Sequence, residues 1–406
     1  MAYINPIEIQ FPASAIDAFA RQRISSPTTV FDSKLVGDNR PLLYDDAEVS
    51  GSGTTSIYNV NTSSNRLSVA ATTAGRRIRQ TFRRFNYQPG KSQLIILTGV
   101  INTPTSGNTK KIGYFDDNNG LFFDSTNATV GVNVRTFTSG AAVTTRIAQS
   151  AWNLDKLDGT GSSGVMLDFS KTQIFFFDFE WLGVGTVRFG FFIDGMPIYC
   201  HAVHNANILA DVYMTTPNLP IRYEIQNDGT GASDSIKQIC STVIAEGGSD
   251  GTGFPISIDR NTVMQTGNNS DFHPLFAIRL KTNFLGSTVN FRDFSIICTS
   301  NAAYRYRWLL DPTVAGTAFT FNSLANSSIE FDNTATSTTT ISGGTVINAG
   351  VGYQTNQGGQ TQGNFSREFA LGSTISGTRQ VLVLAVARVT GADESFYAGA
   401  NINDQK

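Results

Sequence analysis

The sequence predicts an all-β protein built around a two-sheet sandwich or jelly roll. Only 15% of the 406 residues are charged, and the chain has no long runs of helix-forming Lys, Glu and Ala. Strand-length segments separated by turn residues follow one another from about residue 62 to residue 300, with no helical pattern between them. We count about ten such segments, too many for one open sheet, so two packed sheets are expected.

Residues 174–203, "IFFFDFEWLGVGTVRFGFFIDGMPIYCHAV", show the strand pattern most clearly. Large apolar residues alternate with polar or small ones in both halves: Phe175, Phe177, Phe179 and Trp181, then Val187, Phe189, Phe191 and Ile193. A loop of odd length, Leu182 to Thr186, places both apolar rows on one face and sets Glu180 across from Arg188. We therefore expect an antiparallel hairpin in the core of a sheet, not an aromatic platform for a ligand.

Three ranges of the chain differ in composition. Residues 1–61 contain four prolines and scattered apolar residues, which is typical of an extended N-terminal arm that lies on its own domain or on a neighbouring subunit. Residues 62–300 form the predicted sandwich. Residues 301–406, with short strands between Gly, Ser, Thr and Asn loops, are predicted to form a smaller C-terminal β-domain.

Charge, hydropathy and cysteine content restrict the class of protein. The net charge of −2 argues against nucleic acid as a partner. No apolar run approaches the ~20 residues of a membrane helix, and "MAYINPIEIQ" lacks the pattern of a secretory signal. Cys200, Cys240 and Cys298 lie far apart in apolar segments, which is typical of free thiols. These features predict a protein made in the cytoplasm without membrane insertion.

Three short motifs resemble metal sites, but none has the required ligand spacing. In "CHAVH", Cys200 and His201 point to opposite faces of a strand, whereas zinc needs about four converging ligands. "DDNNG" (116–120) has a glycine at the third calcium-ligand position. We interpret it and "LDKLDGTGSSG" (154–164) as turns, and we predict no metal and no cofactor.

The basic run "RRIRQTFRRF" (76–85) is the strongest charge feature of the sequence. Arg77, Arg79 and Arg83 share one face of the predicted strand. They form either a site for a polyanion, such as nucleic acid or an acidic glycan, or an exposed sheet face that pairs with "YDDAE" (44–48) or with a neighbouring subunit. The slightly negative net charge favours the second interpretation.

Motifs of common enzymes are absent from the sequence. It has no G-x-S-x-G, no P-loop and no Rossmann fingerprint. Asp178 and Glu180 lie on one strand face ~7 Å apart, within the range of glycosidase carboxylates. However, an ion pair with Arg188 would lower the pKa of Glu180. A general acid needs a raised pKa. We therefore predict that the chain is not an enzyme.

Several strings carry a resemblance to a known family: "DAFARQRISSPTTVFDSK", "TAGRRIRQTFRRFNYQPGKSQLI", "KKIGYFDDNNGLFF", "SAWNLDKLDGTG", "FFDFEWLGVGTVRFGFFIDG" and "VYMTTPNLPIRYEI". They resemble a group of virion-associated proteins of tailed bacteriophages and some large viruses, over about residues 15–250. The resemblance implies a structural protein of the virion with a concanavalin-like or jelly-roll core. No catalytic residues are described for this group, so none is carried over.

Pattern and resemblance together predict a virion structural protein, made in the host cytoplasm and placed on the particle. It would be an oligomeric capsid-decoration, fibre or tail-surface component assembled through its N-terminal arm. Its partners would be further copies, with a trimer as the expected homo-oligomer, and other virion proteins. The alternative is a module that binds a host-surface glycan, with Trp152 and Tyr213 stacking on sugar rings.

Overall fold

The computed structural model is almost entirely β-structure, which confirms the predicted fold class. It describes residues 25–126, 128–248, 253–267, 270–353, 361–364, 370–389 and 393–406, with the backbone alone for 361–364. The first part of the predicted arm, residues 1–24, lies outside the described residues. Within the described part of the chain, no helix has the length and apolar character needed to cross a membrane.

Fifteen strands form the first unit. In chain order they are β1 (Thr28–Lys34), β2 (Tyr44–Gly51), β3 (Thr54–Asn59), β4 (Ser64–Val69), β5 (Gly75–Thr81), β6 (Gln93–Val100), β7 (Asn108–Phe115), β8 (Gly120–Thr126), β9 (Thr129–Thr136), β10 (Val143–Ala148), β11 (Gln173–Phe179), β12 (Val187–Ile193), β13 (Met196–Val203), β14 (Ile221–Asn227) and β15 (Asp234–Ala245).

These strands make two antiparallel sheets that pack face to face. The eight-stranded sheet has the order β13-β12-β11-β6-β15-β4-β3, with β1 also paired to β15. The seven-stranded sheet has the order β10-β9-β8-β7-β14-β5-β2. Neighbours in these sheets are often distant in sequence, as in a jelly roll of the concanavalin-like class. One apolar cluster fills the space between the two sheets.

The phenylalanine-rich hairpin lies at the centre of this core, as its alternation predicts. Phe175 lies across from Phe191, and Phe177 lies across from Phe189, with all four side chains fully buried. From the opposite sheet, Phe123 packs edge-on against Phe189 with a centroid separation of 5.8 Å. The aromatic rows therefore hold the two sheets together and are not accessible to a ligand.

The register of this hairpin differs from the prediction by two residues. Arg188 lies across from Asp178, not from Glu180, and its guanidinium contacts the Asp178 carboxylate. The turn is also longer than predicted, because the N–H of Gly185 donates to the carbonyl of Trp181 at 2.8 Å within it. A shift of two residues leaves every side chain on the same face, so hydrophobic alternation could not distinguish the two registers.

Twelve strands form the second unit: β16 (Phe254–Gln265), β17 (His273–Leu280), β18 (Thr288–Cys298), β19 (Ala303–Leu310), β20 (Thr313–Ala315), β21 (Asn322–Ser323), β22 (Ile329–Asp332), β23 (Thr340–Ser342), β24 (Thr345–Tyr353), β25 (Thr361–Asn364), β26 (Leu382–Arg388) and β27 (Ser395–Gln405). They pair as a four-stranded sheet (β16-β27-β18-β25), a six-stranded sheet (β21-β22-β17-β26-β19-β24) and the pair β20-β23. A second apolar cluster lies within this unit.

Strand pairing divides the chain differently from the predicted ranges 1–61, 62–300 and 301–406. Strands β1 to β3, which fall in the predicted arm, are paired members of the sandwich sheets. Strands β16 to β18, which fall in the predicted sandwich, pair with β27, β26 and β25 of the second unit. The division therefore lies between β15 and β16, because hydrogen bonding across a sheet ignores changes in composition along the chain.

A few polar contacts join the two units. The N–H of Ser373 donates to the carbonyl of Phe82 at 3.0 Å, and the N–H of Ile375 donates to the Asp45 carboxylate at 2.7 Å. On the other side, the amide of Asn218 donates to the carbonyl of Gly286 at 3.0 Å. The two apolar clusters have no residue in common, so each unit has its own core.

Candidate functional site

The two aromatic residues predicted to stack on sugar are both buried. Trp152 is 3% exposed, and its indole N–H donates to the carbonyl of Ile147 at 3.3 Å. Tyr213 is 5% exposed, and its hydroxyl donates to the carbonyl of Glu180 at 3.2 Å. Both side chains belong to the core between the sheets. They cannot stack on a sugar ring in this fold, because their faces are already covered.

The predicted arginine face is also turned inward. Arg77 and Arg79 lie between the two sheets and both pair with Asp46, at 2.7 Å and 3.2 Å. Arg83 donates to the carbonyl of Val30, and its guanidinium lies over the ring of Phe85. Asp46 belongs to "YDDAE", so Arg77 and Arg79 pair with this segment, as the second interpretation expected. However, the face is largely buried and not exposed as that interpretation expected, so it is not open to a polyanion.

The motifs interpreted as turns are turns in the structure. "DDNNG" joins β7 to β8, with Asp116 accepting the N–H groups of Asn118 and Asn119, both at 2.8 Å. In "LDKLDGTGSSG", Asp155 accepts the N–H groups of Leu157 and Ser163. Among the described residues, no group of three His, Cys, Asp or Glu side chains is placed to hold a metal ion.

The residues of "CHAVH" have separate partners. Cys200 is a buried free thiol, and burial raises its pKa well above the ordinary value. His201 accepts the N–H of Asn153 at 3.2 Å on its Nδ1, while His204 contacts the hydroxyl of Thr186. The histidines of the motif therefore tie β13 to the segment between β10 and β11 and to the residue before β12.

The outer face of the seven-stranded sheet, which points away from the core, carries a dense group of charged side chains. On β14, Ile221, Tyr223 and Ile225 point into the core, so Arg222 and Glu224 point outward. The same alternation places the other members of this face outside: Arg76 on β5, Lys111 and Phe115 on β7, Phe122 and Asp124 on β8, and Arg135 on β9. We name five of the basic residues around the β7–β8 turn the cation cluster: Arg76, Arg84, Lys111, Arg135 and Arg222.

Ion pairs tie the cation cluster to the turn and to one central carboxylate. Asp117 lies within 2.8 Å of Arg76 and 2.7 Å of Arg222. Glu224 lies within 2.9 Å of Arg76 and 2.7 Å of Lys111. Arg76 of β5 and Arg222 of β14 thus converge on the turn, and Lys111 of β7 joins them through Glu224.

Asp116, the first residue of the turn, binds two further members of the cluster. Its carboxylate pairs with Arg84, and its backbone carbonyl accepts a hydrogen bond from Nη1 of Arg135 at 2.8 Å. Arg135 also donates from Nε to the hydroxyl of Thr144 at 3.0 Å. Arg135 is therefore held in the cluster by hydrogen bonds to neutral acceptors.

Two phenylalanine rings form the floor of the cluster. Phe115 and Phe122 are fully buried, with ring centroids 4.6 Å apart. Arg135 lies over both rings, 4.9 Å from the centroid of Phe122, and Arg222 lies 5.4 Å from that of Phe115. Cation–π contacts of this kind fix the plane of a guanidinium. Gly113, on the strand between Arg222 and Phe122, is required here, because a Cβ would lie 2.5 Å from the Cβ of Phe122.

Burial and neighbouring charges shift the pKa values of Glu224 and Arg135. Burial raises the pKa of Glu224, but Lys111, Arg76 and Arg222 together lower it far below its ordinary range. Burial lowers the pKa of Arg135, while the charges of Glu224 and Asp117 raise it and those of Arg222 and Arg76 lower it. Glu224 therefore stays ionised, and burial is the main cause of the shift at Arg135.

Asp124 lies on the same face, two strands from Glu224. Its carboxylate accepts Nε of Arg146 at 2.8 Å. Burial raises the pKa of Asp124 more than Arg146 lowers it. Lys111 of β7 lies between the two acids, directly across from Asp124 on one side and Glu224 on the other. The face therefore holds one carboxylate that stays ionised and one that protonates more readily.

Two segments that build this cluster stand out in the sequence, but nothing in the sequence predicted that they would meet. The basic run supplies Arg76 and Arg84, the residues that flank the inward-facing set, and "DDNNG" supplies Asp116 and Asp117. Even-numbered residues of the basic run lie on the strand face opposite Arg77 and Arg79, so the alternation could have predicted that Arg76 points away from them. No local signal indicated that "RYEI" or Arg135 would join them, because strand order joins segments more than a hundred residues apart.

Comparisons with known proteins concern the fold alone. No family model matches the chain, and no curated protein matches its sequence. The solved structures it is similar to include a glycosyl hydrolase family 16 protein from Mycobacterium smegmatis (12% identity, 53% of this chain and 100% of that chain, TM-score 0.35). A β-1,3-glucanase from Mycobacterium marinum matches at 12% identity over 53% and 98% (TM-score 0.36). The carbohydrate recognition domain of Emp47p matches at 10% over 58% and 99% (TM-score 0.34).

These comparisons correct the prediction that the chain is not an enzyme. Proteins described as glycosyl hydrolases and as a β-1,3-glucanase are among the solved structures that it is similar to. The similarity itself concerns the fold and assigns no activity to this chain.

Proposed function

We propose that the chain is a saccharide-binding protein of a virion surface and that the outer face of the seven-stranded sheet is its binding site. The observation that carries this proposal is the cation cluster on its phenylalanine floor. Its side chains are fixed in place, and the site is open to solvent at its rim: the Arg76 side chain is 25% exposed, and that of its partner Asp117 is 58% exposed. The virion location rests on the sequence resemblance alone.

The chemistry of the face suits a polyhydroxyl ligand. Sugar hydroxyls both donate and accept hydrogen bonds, and this face presents charged donors next to charged acceptors. Arg76 and Arg135 supply donors, while Asp117 supplies an exposed carboxylate. Hydrogen bonds to charged groups are the stronger kind, about 1.5–3 kcal/mol each. Since ion pairs and ring contacts already hold the side chains, binding costs little side-chain ordering.

A glycan array probed with the full chain tests this proposal. The variant Arg135→Ala should lose most of the binding, because it removes donors at the cluster without breaking an ion pair among the described residues. Arg66→Ala is the matched control, since Arg66 is an exposed arginine of β4 in the other sheet. An array without hits, or equal loss in both variants, would reject the site.

The virion location needs a separate measurement. Antibodies raised against the purified chain should label intact particles, and electron microscopy then assigns the label to capsid, tail or fibre. Particles that carry no label would refute the virion role and leave the saccharide site untouched.

A glycoside hydrolase is the second candidate, favoured by the opposite pKa shifts of Asp124 and Glu224. A carboxylate pair whose environments separate their pKa values is the pattern of an acid and a base. Their backbones are two strand spacings apart, ~10 Å, slightly more than the ~6.5–9.5 Å between the carboxyl groups of inverting glycosidases. Asp124 would act as the acid and Glu224 as the base.

Reducing-sugar release from a panel of β-glucans distinguishes this candidate from simple binding. If the chain is a hydrolase, Asp124→Asn should abolish release but keep glycan binding. Asp168→Asn, at an exposed loop position, should change neither. A wild-type chain that binds glycans but releases no reducing ends from any of them would eliminate the candidate.

A further inference from the structure

We propose that the saccharide bound by the cation cluster is acidic and that Arg135, with Arg76, binds its carboxylate. This inference rests on the proposed function, since it names the ligand class of the same site. Three observations support it: the charge balance of the cluster, the unused donors of its arginines, and the rigidity of Arg135.

The charge balance of the cluster is positive. The five basic residues defined above meet three carboxylates, those of Asp116, Asp117 and Glu224, which leaves an excess of two positive charges. The chain as a whole carries −2. A local excess in a chain of opposite overall sign is a site for an anion rather than a general property of the surface.

The arginines keep donors that the fold does not use. Within the described part of the chain, Arg135 makes no ion pair, and its two hydrogen bonds, from Nε and Nη1, leave Nη2 without a partner. Arg76 uses Nη2 for both of its acids, so its Nη1 is also unused, and its buried Nε has no acceptor. Terminal guanidinium nitrogens of this kind are the donors that a carboxylate engages in pairs.

The stacking of Arg135 prepares it for a planar ligand. Its guanidinium lies over Phe122 and Phe115, at 4.9 Å and 5.8 Å from the ring centroids. Nε donates to Thr144 and Nη1 donates to the carbonyl of Asp116, so both ends of the group are held and Nη2 is left as a donor. A carboxylate on a sugar ring can accept a charge-assisted hydrogen bond from this nitrogen.

The size of the cluster favours a saccharide over nucleic acid. A nucleic-acid surface neutralises many phosphates with basic residues along a groove or stripe, whereas here the excess of two charges is confined to one turn and its neighbours. The phenylalanine rings that could stack on bases lie beneath the cations and are fully buried. A uronic acid, with one carboxylate for each ring, matches the size of this excess.

Calorimetry of the full chain with matched oligosaccharides tests the inference. The probes are oligomers of galacturonate and glucuronate, and the same oligomers after reduction of each carboxylate to a primary alcohol. The acidic oligomers should bind about tenfold or more tightly than the reduced ones. Raising NaCl from about 50 mM to about 500 mM should weaken the binding of the acidic oligomers only.

Variants of Arg135 test whether this residue causes the preference for acidic oligomers. Arg135→Ala should bring the affinity for acidic oligomers down to that for the reduced ones, and Arg135→Lys should fall between, because it keeps the charge but loses the planar fork. The control Arg66→Ala should bind as the wild type does. Unchanged thermal unfolding of Arg135→Ala shows that the loss is not a loss of fold.

The outcomes separate this inference from the proposed function. Equal affinity for acidic and reduced oligomers overturns the acidic ligand but leaves a saccharide site. No binding to any oligosaccharide overturns both. Binding of a single-stranded DNA oligonucleotide that exceeds binding of the acidic oligomers, and that Arg135→Ala abolishes, overturns the inference in favour of nucleic acid.

Discussion

Glu224 is the residue on which the cation cluster depends. It is fully buried on the outer face of the sheet, and it pairs with Arg76 and Lys111. Arg222, itself 2% exposed, lies 3.7 Å from the same carboxylate. Removing the charge would leave three cations facing one another in a desolvated setting. Breaking a buried pair by removing one partner typically costs 3–5 kcal/mol.

We expect Glu224→Gln to lower the free energy of unfolding at pH 7 by about 3–5 kcal/mol and to flatten its dependence on acid pH. The folded pKa of Glu224 is lowered far below that of an unfolded glutamate, about 4.3. Its stabilisation is therefore complete above pH ~5 and is lost as the pH falls below that value, because the unfolded state then binds a proton first. Urea unfolding at several values from pH 7 to pH 3 measures both effects.

Glu246→Gln is the control for this measurement. Glu246 follows β15, and its carboxylate makes no ion pair within the residues that the structure describes. The control should keep the wild-type stability at pH 7 and the wild-type acid dependence. If Glu224→Gln lost stability at the same rate as the wild type between pH 5 and pH 3, the proposed effect of the cluster on the Glu224 pKa would be wrong.

At the scale of single elements, the hairpin β11–β12 shows what alternation does and does not determine. Its period of two correctly predicted the face that points into the core, with Phe175, Phe177 and Phe179. It did not predict that the other face is covered too, where Phe176 and Asp178 are also buried. Its register could not be predicted, because a shift of two residues keeps that pattern. The longer turn and the Asp178–Arg188 pair decide between the registers, and both depend on contacts outside the hairpin, such as Ser92 with Asp178.

Gly190 of β12 allows Phe176 and the backbone of β13 to pack closely on the outer face of this hairpin. A Cβ at this position would lie 2.3 Å from Cζ of Phe176 and 2.4 Å from the carbonyl oxygen of Ile198. The second contact is with backbone and cannot be relieved by a rotamer change. We expect Gly190→Ala to destabilise the chain by about 1–3 kcal/mol, as overpacking of a core does, and thermal unfolding measures it.

Gly399 of β27 is the matched strand glycine for comparison. A Cβ there would make only ordinary contacts, at 3.6 Å and beyond, so Gly399→Ala should change stability by less than about 0.5 kcal/mol. In the background of Phe176→Leu, Gly190→Ala should still be costly, because the clash with the Ile198 carbonyl remains. Full tolerance of Gly190→Ala would show that β12 and β13 can separate at low cost.

At the scale of the whole molecule, the class of fold was accessible from the sequence but the site was not. Strand-length segments and turns are local features, so the all-β sandwich followed from them. Which strands become neighbours depends on topology: β7 pairs with β14, more than a hundred residues later, and this pairing alone brings Lys111 to Glu224. The same reason explains Trp152 and Tyr213, whose loop-like context gave no sign that the core would enclose them.

The separate cores of the two units lead to a prediction about fragments. Residues 25–248 contain every strand of the two sandwich sheets, whereas residues 62–300, the range predicted from composition, lack β1 to β3 and end within the second unit. We expect the first fragment to unfold cooperatively on its own, because its core shares no residue with the other. The second should fail to fold, because β4 and β5 lose edge partners and β16 to β18 lack β27. Heat-capacity scans of both fragments beside the full chain measure this, and a cooperative transition in residues 62–300 alone would show that the paired strands β1 to β3 are dispensable to the sandwich.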